Sequence, residues 1–136
     1  WSSDVCSSDL GNRQLTATGE PVGRNLPSAA LKRRPCLLKR ISLMASGKFE
    51  SELPSCNLIM RAGFGWRYPA RKSAEDHWLV ARLLLQLPSA SLLIRPVELV
   101  DYYVGGQATA NNQKNGTYRF ERRRLLEAAK GWRRDD

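Results

Sequence analysis

The sequence predicts an α/β fold from three observations. Residues 74–87 are apolar around almost the whole circumference of a helix, which is typical of a buried helix. Two further segments, residues 36–45 and 117–130, carry apolar side chains at helical spacing on one side. Short runs rich in Val, Ile, Leu and Tyr, at residues 55–61 and 91–104, predict strands between these helices. Helices that alternate with strands in this way indicate an α/β architecture.

The first ten residues resemble the translation of a short-read sequencing adapter. All ten positions match TGG AGT TCA GAC GTG TGC TCT TCC GAT CT translated in frame, and the competing interpretation is a polar N-terminal tail. We therefore expect residues 1–10 to be a non-native segment without fold information. Residues 11–136 are then expected to be part of one domain, a fragment whose gene extends upstream of Gly11. Removing the segment raises the formal charge of +9 by two, because it holds two aspartates and no basic residue.

The composition limits the compartment and the partners. Lysine and arginine number 22 against 13 acidic residues, with arginine in the majority. Arginine favours fork-like contact with phosphates or carboxylates, but charge alone does not choose among nucleic acid, anionic lipid and nucleotide diphosphate. Cys36 and Cys56 are too far apart for a CxxC metal site and imply no disulfide framework. No run reaches the ~20 apolar residues that span a bilayer, so we expect a cytoplasmic protein, with association at a membrane surface as an open alternative.

Turn and cap residues predict the elements before the central helix. Residues 16–23 predict a turn with short extended flanks, because glycines punctuate them. Residues 26–34 predict a short helix that Pro35 ends. The same proline suits the first position of the next helix, residues 36–45, and Gly47 suits its C-cap.

Strands and one further helix are predicted on either side of the central helix. Residues 55–61 predict a strand, followed by an aromatic loop over residues 63–69. Residues 91–95 and 97–104 predict two strands, separated by Pro96. Thr117 is the predicted cap of the last helix, whose basic face includes Arg122, Arg123 and Arg124. That face is either solvated or in contact with an anionic membrane surface.

The central helix is expected to begin near Ala74 and to end at Pro88. Ser73 followed by Asp76 has the spacing of a capping box, and proline cannot continue a helix. The first helical turn then places three polar residues at the edge of the core: Glu75, Asp76 and His77. A carboxylate at this position stabilises the helix by roughly 0.3–1 kcal/mol through the helix dipole. It can also act as a general base, and the two roles are compatible because a capped carboxylate stays ionised and rigid.

Four segments, in order, resemble the second half of an inverting family 2 glycosyltransferase with the GT-A fold. Residues 18–24 (TGEPVGR) are similar to the turn that follows the metal site of many members. Residues 53–61 (LPSCNLIMR) resemble the strand that leads into the acceptor side. Residues 74–83 (AEDHWLVARL) resemble the "ED" motif and its helix. Residues 99–109 (LVDYYVGGQAT) are similar to the following strand and loop. The resemblance implies a truncated GT-A domain.

The same resemblance implies the roles of the site residues. Asp76 would deprotonate the acceptor hydroxyl, and Glu75 would orient Asp76 or contact the acceptor. Arg71 and Lys72 lie close enough along the chain to contact a diphosphate or an anionic acceptor. The remaining substrate-binding candidates are His77, Asn57 and Arg61. The implied partners are a nucleotide-sugar and a glycan or lipid-linked acceptor of the cell envelope, with no nucleic acid.

Two departures from the family pattern limit what the chain is expected to do. The sequence has Tyr102, Tyr103, Val104 and Gly105 where members often carry Tyr-Arg-x-His. It also has no DxD motif, so the divalent Mg or Mn of the full-length parent has no ligand here and the fragment should be inactive. The alternative, from another class, is a small basic nucleic-acid-binding protein that uses its arginine clusters. A spurious, out-of-frame product is a third hypothesis, which the regular helix signals argue against.

Overall fold

A computed structural model of the protein describes residues 7–47, 53, 58–60, 63, 65–105 and 114–133. Within these residues, three α-helices and a small mixed sheet confirm the predicted α/β class. The helices are α1 (Arg34–Ser46), α2 (Glu75–Gln86) and α3 (Thr117–Gly131). The strands are β1 (Ser7–Leu15), β2 (Pro21–Asn25), β3 (Ile59–Met60) and β4 (Leu92–Tyr103). Short 3-10 turns cover Ala29–Lys32 and Ser89–Ser91.

Strand β1 is the centre of the sheet. β4 pairs with it in parallel along its whole length, from Ser7 opposite Leu92 to Leu15 opposite Tyr103. β2 pairs antiparallel with the second half of β1, and β3 with its first two residues. Because a strand has two edges, β2 and β3 share the edge that β4 leaves open. The sequence did not predict β1, since Leu10 and Leu15 are its only large apolar residues, and the adapter-like residues from Ser7 onward lie within it.

The turn between β1 and β2 confirms the predicted turn with extended flanks. The amide of Thr16 donates to the carbonyl of Glu20 at 2.9 Å, and the amide of Glu20 donates to the Thr16 hydroxyl at 3.1 Å. Gly19 has a φ of 86°, a conformation that glycine adopts without steric cost. The hairpin therefore closes at the residues that the sequence marked.

The prediction of two strands on either side of Pro96 is wrong, because β4 runs through the proline. Leu10 pairs with Arg95, but Gly11 pairs with Glu98, and a second register shift follows after Gly11. The extra β4 residues form bulges opposite Gly11, where ladder hydrogen bonds are interrupted. A proline is tolerated at a bulge since its missing N–H is not needed there.

The strand predicted over residues 55–61 is described only at its end, as β3. Asn57 and Arg61 lie outside the described residues. The described part of the predicted aromatic loop, residues 65–69, is irregular, in agreement with the prediction. The helix predicted over residues 26–34 is only a 3-10 turn. The C-cap of this turn is Arg33, whose backbone is extended. Arg33 is also the N-cap of α1, so there is no room for a longer helix before α1.

The core forms where α2 packs with the sheet and the other two helices. Eight of the twelve α2 residues are buried, which confirms the predicted interior helix. α1 contributes Leu37, Ile41 and Met44 to the same cluster, and α3 contributes Leu125 and Ala129. The predicted start and end of α1, with Pro35 in its first turn and Gly47 as its C-cap, are confirmed.

The two predicted N-caps are wrong. Ala74 is the N-cap of α2, with a left-handed φ of 56°, and Ser73 makes no capping hydrogen bond. Gly116, also left-handed at φ 69°, caps α3 in place of Thr117. In both cases the backbone turns into the helix at a left-handed residue, so the polar side chain does not occupy the capping position.

Candidate functional site

An open pocket of about 780 Å³ lies between the segment before α2, α2 itself and α3. We refer to it as the arginine pocket, because five arginines and three aromatic residues dominate its lining: Arg67, Arg71, Arg82, Arg123, Arg124, Trp78, Phe120 and Trp132. Its one carboxylate is Glu127. The pocket is thus a basic cavity with aromatic walls.

Each arginine reaches the pocket for a local reason. Arg67 and Arg71 lie in the segment that leads into α2. Arg82 lies on the one polar strip of α2, where its Nε donates to Oε1 of Gln86, one turn later, at 2.8 Å. Arg123 and Arg124 are exposed on α3, next to the buried Leu125 that anchors this helix to the core. The pocket therefore depends on how α2 and α3 are docked.

Two tryptophans form the inner wall. The guanidinium carbon of Arg71 lies 3.9 Å from the centre of the Trp78 ring, which is a cation–π contact. Trp132 meets Trp78 edge-to-face, with ring centres 5.9 Å apart. Trp78 is 7% exposed, so its ring is part of the core. The cation–π contact therefore places Arg71 against the core.

The pocket wall contains two buried donors that the described residues leave unsatisfied. The indole Nε1 of Trp78 and the Nε of Arg71 have no hydrogen-bond partner among them. A buried donor without a partner costs about 1–3 kcal/mol.

The described residues that line the pocket carry a net positive charge. Glu127 pairs with Lys130, at 2.7 Å between Oε1 and Nζ. Within the described ranges, none of the five pocket arginines forms an ion pair with a carboxylate. Five guanidinium groups around one cavity attract anions, since arginine stays charged at all physiological pH values.

Of the predicted site residues that the structure describes, only Arg71 lines this pocket. Lys72 and Glu75 are exposed and lie close to Arg71 in the sequence, but neither lines the pocket. Asp76 is half-buried, and its Oδ1 accepts a hydrogen bond of 2.8 Å from the amide of His77. His77 is fully buried, with its ring centre 6.0 Å from that of Tyr118. The acidic pair and the pocket are therefore separate features.

The described residues offer no group of three or more His, Cys, Asp or Glu side chains that could hold a metal ion. Nor does any helix in the described part of the chain have the length and apolar character needed to cross a bilayer.

Sequence reasoning misses most of the pocket. It places Arg123 and Arg124 on a solvated or membrane-facing surface, and Trp78 in the core. The sequence feature that could have indicated the pocket is the recurrence of arginine beside aromatic residues, at 66–71 and again at 118–124. Only the packing of α3 against α2 brings these two segments to one cavity.

Comparisons of the chain with protein-family models, with curated proteins and with solved structures found no match. The resemblance to family 2 glycosyltransferases therefore stays a prediction.

Proposed function

We propose that this protein binds a phosphate-bearing ligand in the arginine pocket. The observation that carries the proposal is the convergence of five arginines, without carboxylate partners among the described residues, on one cavity. The planar guanidinium group donates two parallel hydrogen bonds to a phosphate, so it suits this anion better than a lysine does.

The size and walls of the pocket support a ligand that is more than a single phosphate. Its volume of about 780 Å³ lies in the ~300–1,000 Å³ range of small-molecule sites. The aromatic walls can cover an apolar or planar part of the ligand. Binding would thus be favoured by the charge and hydrogen bonds of the arginines and by stacking on the aromatic walls.

Titration with pyrophosphate tests the proposal. Because Trp78 and Trp132 line the pocket, their intrinsic fluorescence reports binding directly. Arg123→Gln combined with Arg124→Gln should weaken binding by about tenfold or more, since each charged hydrogen bond contributes roughly 1.5–3 kcal/mol.

Arg33→Gln combined with Lys39→Gln is the matched control, because it also removes two positive charges. Both residues are exposed, and neither is part of the pocket lining. This variant should leave the affinity unchanged. Equal losses in the control and the pocket variant would mean that pyrophosphate responds to net charge, and the pocket would not be the site.

Glycosyl transfer by a GT-A domain is the second candidate function, and one observation favours it. Asp76 is held at the start of α2 by the amide of His77 while part of its side chain remains exposed. A general base needs this combination of fixed position and access. In that role Asp76 takes the proton of the acceptor hydroxyl, whose oxygen bonds to the anomeric carbon of the sugar as the bond to the nucleoside diphosphate breaks. Glu75, exposed beside it, would contact the acceptor.

Sequencing the source DNA upstream of the Gly11 codon tests this second candidate. An open frame of about one hundred codons, the length of a further half-domain, that ends in a strand with DxD would support it. In the enzyme encoded by that frame, Asp76→Asn should lower kcat by orders of magnitude without loss of fold. A start codon close to Gly11 would remove the candidate.

A further inference from the structure

We infer that the phosphate-bearing ligand is single-stranded nucleic acid, which enters the arginine pocket and continues along α3 past Phe120. The inference rests on the proposed function and names the ligand of the same site. It follows from a basic surface longer than the pocket, from an exposed aromatic ring at the pocket, and from the concave shape of the cavity.

The basic side chains of α3 cluster in its first half, and one more lies near its C-terminal end. This helix carries five basic side chains and two glutamates. Glu121 is buried and Glu127 pairs with Lys130, so the accessible charge is positive. Spacings of four and seven residues place Arg119, Arg123 and Lys130 on one side of the helix. From Arg119 to Lys130 the helix rises by about 16 Å at 1.5 Å per residue, which exceeds the reach of a single phosphate and suits a polymer.

Phe120 supplies a surface on which a base can stack. Its side chain is 58% exposed although it lines the pocket, so little of it is used to stabilise the fold. The guanidinium carbon of Arg124 lies 5.7 Å from the centre of its ring. An aromatic face beside arginines is the arrangement that binds unpaired bases, with the ring under the base and the cations at the phosphates.

The shape of the site favours a single strand over a duplex or a membrane. In a duplex the faces of the bases are already stacked on one another, so Phe120 could not reach them. The arginine pocket is a cavity between α2 and α3 and not a flat surface. A flexible strand can enter it, whereas a flat bilayer surface cannot.

Fluorescence anisotropy with a labelled oligothymidine of about twelve nucleotides, within the usual ~4–16 nucleotide site size, tests the inference on the 136-residue protein. A duplex of the same length and pyrophosphate are measured in parallel. The single strand should bind at least about tenfold more tightly than the duplex. Arg123→Gln combined with Arg124→Gln should reduce the slope of log affinity against log salt by about 0.7 for each phosphate that is no longer neutralised.

Phe120→Ala separates stacking from charge. It should weaken oligothymidine binding by about tenfold and weaken pyrophosphate binding clearly less, because pyrophosphate has no base to stack on the ring. Tyr103→Ala is the matched control, because Tyr103 is 57% exposed on β4 and does not line the pocket. It should change neither affinity.

Three results would overturn the inference, and they differ in whether the proposed phosphate site is ruled out as well. If pyrophosphate binds but the single strand binds no more tightly than the duplex, or if Phe120→Ala has no effect on it, the nucleic-acid ligand is wrong and the phosphate site stands. If neither pyrophosphate nor the oligomer binds, both proposals fail. Phe120-dependent binding to phosphatidylserine–phosphatidylcholine vesicles, without binding to the oligomer, would identify a membrane surface instead.

Discussion

Replacing Arg34 by methionine should destabilise the protein, because the Arg34 side chain binds the C-terminal end of another helix, α3. Arg34 lies in the first turn of α1, but its guanidinium group reaches the C-terminus of α3. Its Nη2 donates to the carbonyl of Lys130 at 2.7 Å, and its Nη1 donates to the carbonyls of Trp132 and Ala129, the latter at 3.5 Å. Carbonyls at a helix end have no partner within the helix. Arg34 therefore caps α3 and fastens it to α1.

The size of the effect follows from these contacts. The bonds to Lys130 and Trp132 are within hydrogen-bond distance, and the one to Ala129 is at its limit. Nη1 of Arg133 also donates to the carbonyls of Lys130 and Trp132, at 2.6 and 3.0 Å, so both keep one donor when Arg34 is replaced. A hydrogen bond from a charged donor contributes about 1.5–3 kcal/mol, and we take about 1 kcal/mol for each good bond because Arg34 is only half-buried. A cation at a helix C-terminus adds roughly 0.3–1 kcal/mol. Burial and the nearby Arg133 lower the pKa of Arg34, but a guanidinium stays charged at neutral pH. The expected loss is about 2–3 kcal/mol.

Urea denaturation measures this loss as a change in the free energy of unfolding. Arg34→Lys keeps the charge but not the forked donors, so it should lose about half as much. Arg33→Met is the matched control, since Arg33 is exposed and its side chain makes no capping hydrogen bond. It should stay within about 0.5 kcal/mol of the parent protein. Equal losses for Arg33→Met and Arg34→Met would refute the capping role.

The remaining predictions concern the backbone, the pH response and the core. Gly47→Ala should lower the free energy of unfolding by about 1–2 kcal/mol in urea, because Gly47 has a φ of 72° and its new Cβ would meet Arg119. A hydrogen bond from Arg13 lowers the pKa of Asp101. Asp101 thus has a lower pKa in the folded state than in the unfolded state. The stability that it contributes is present above the unfolded-state pKa and is lost as the pH falls through the folded-state pKa. Asp101→Asn should accordingly flatten the dependence of the urea midpoint on pH below about pH 4; an unchanged slope would contradict the ion pair. Leu125→Ala, at a fully buried position, should cost about 2–5 kcal/mol in thermal unfolding followed by circular dichroism.

The sequence by itself determined the helices and the hairpin turn. The apolar pattern of residues 74–87 predicted the buried helix α2, and Pro35 with Gly47 marked the ends of α1. These features depend on side chains within one or two helical turns of one another, so a local pattern is enough to specify them. The glycines between residues 16 and 23 predicted the turn for the same reason.

Only the tertiary structure decided the sheet and the candidate site. β1 has little apolar pattern of its own, and it is a strand because β4 and the hairpin pair with its two edges. The bulges that carry β4 through Pro96 arise from the same pairing. The arginine pocket joins Arg67 to Arg124, which lie more than fifty residues apart in the chain, through the docking of α3 on α2. Pairing register and helix docking are set by contacts between distant residues, and no periodicity within one segment encodes which distant segment it will meet.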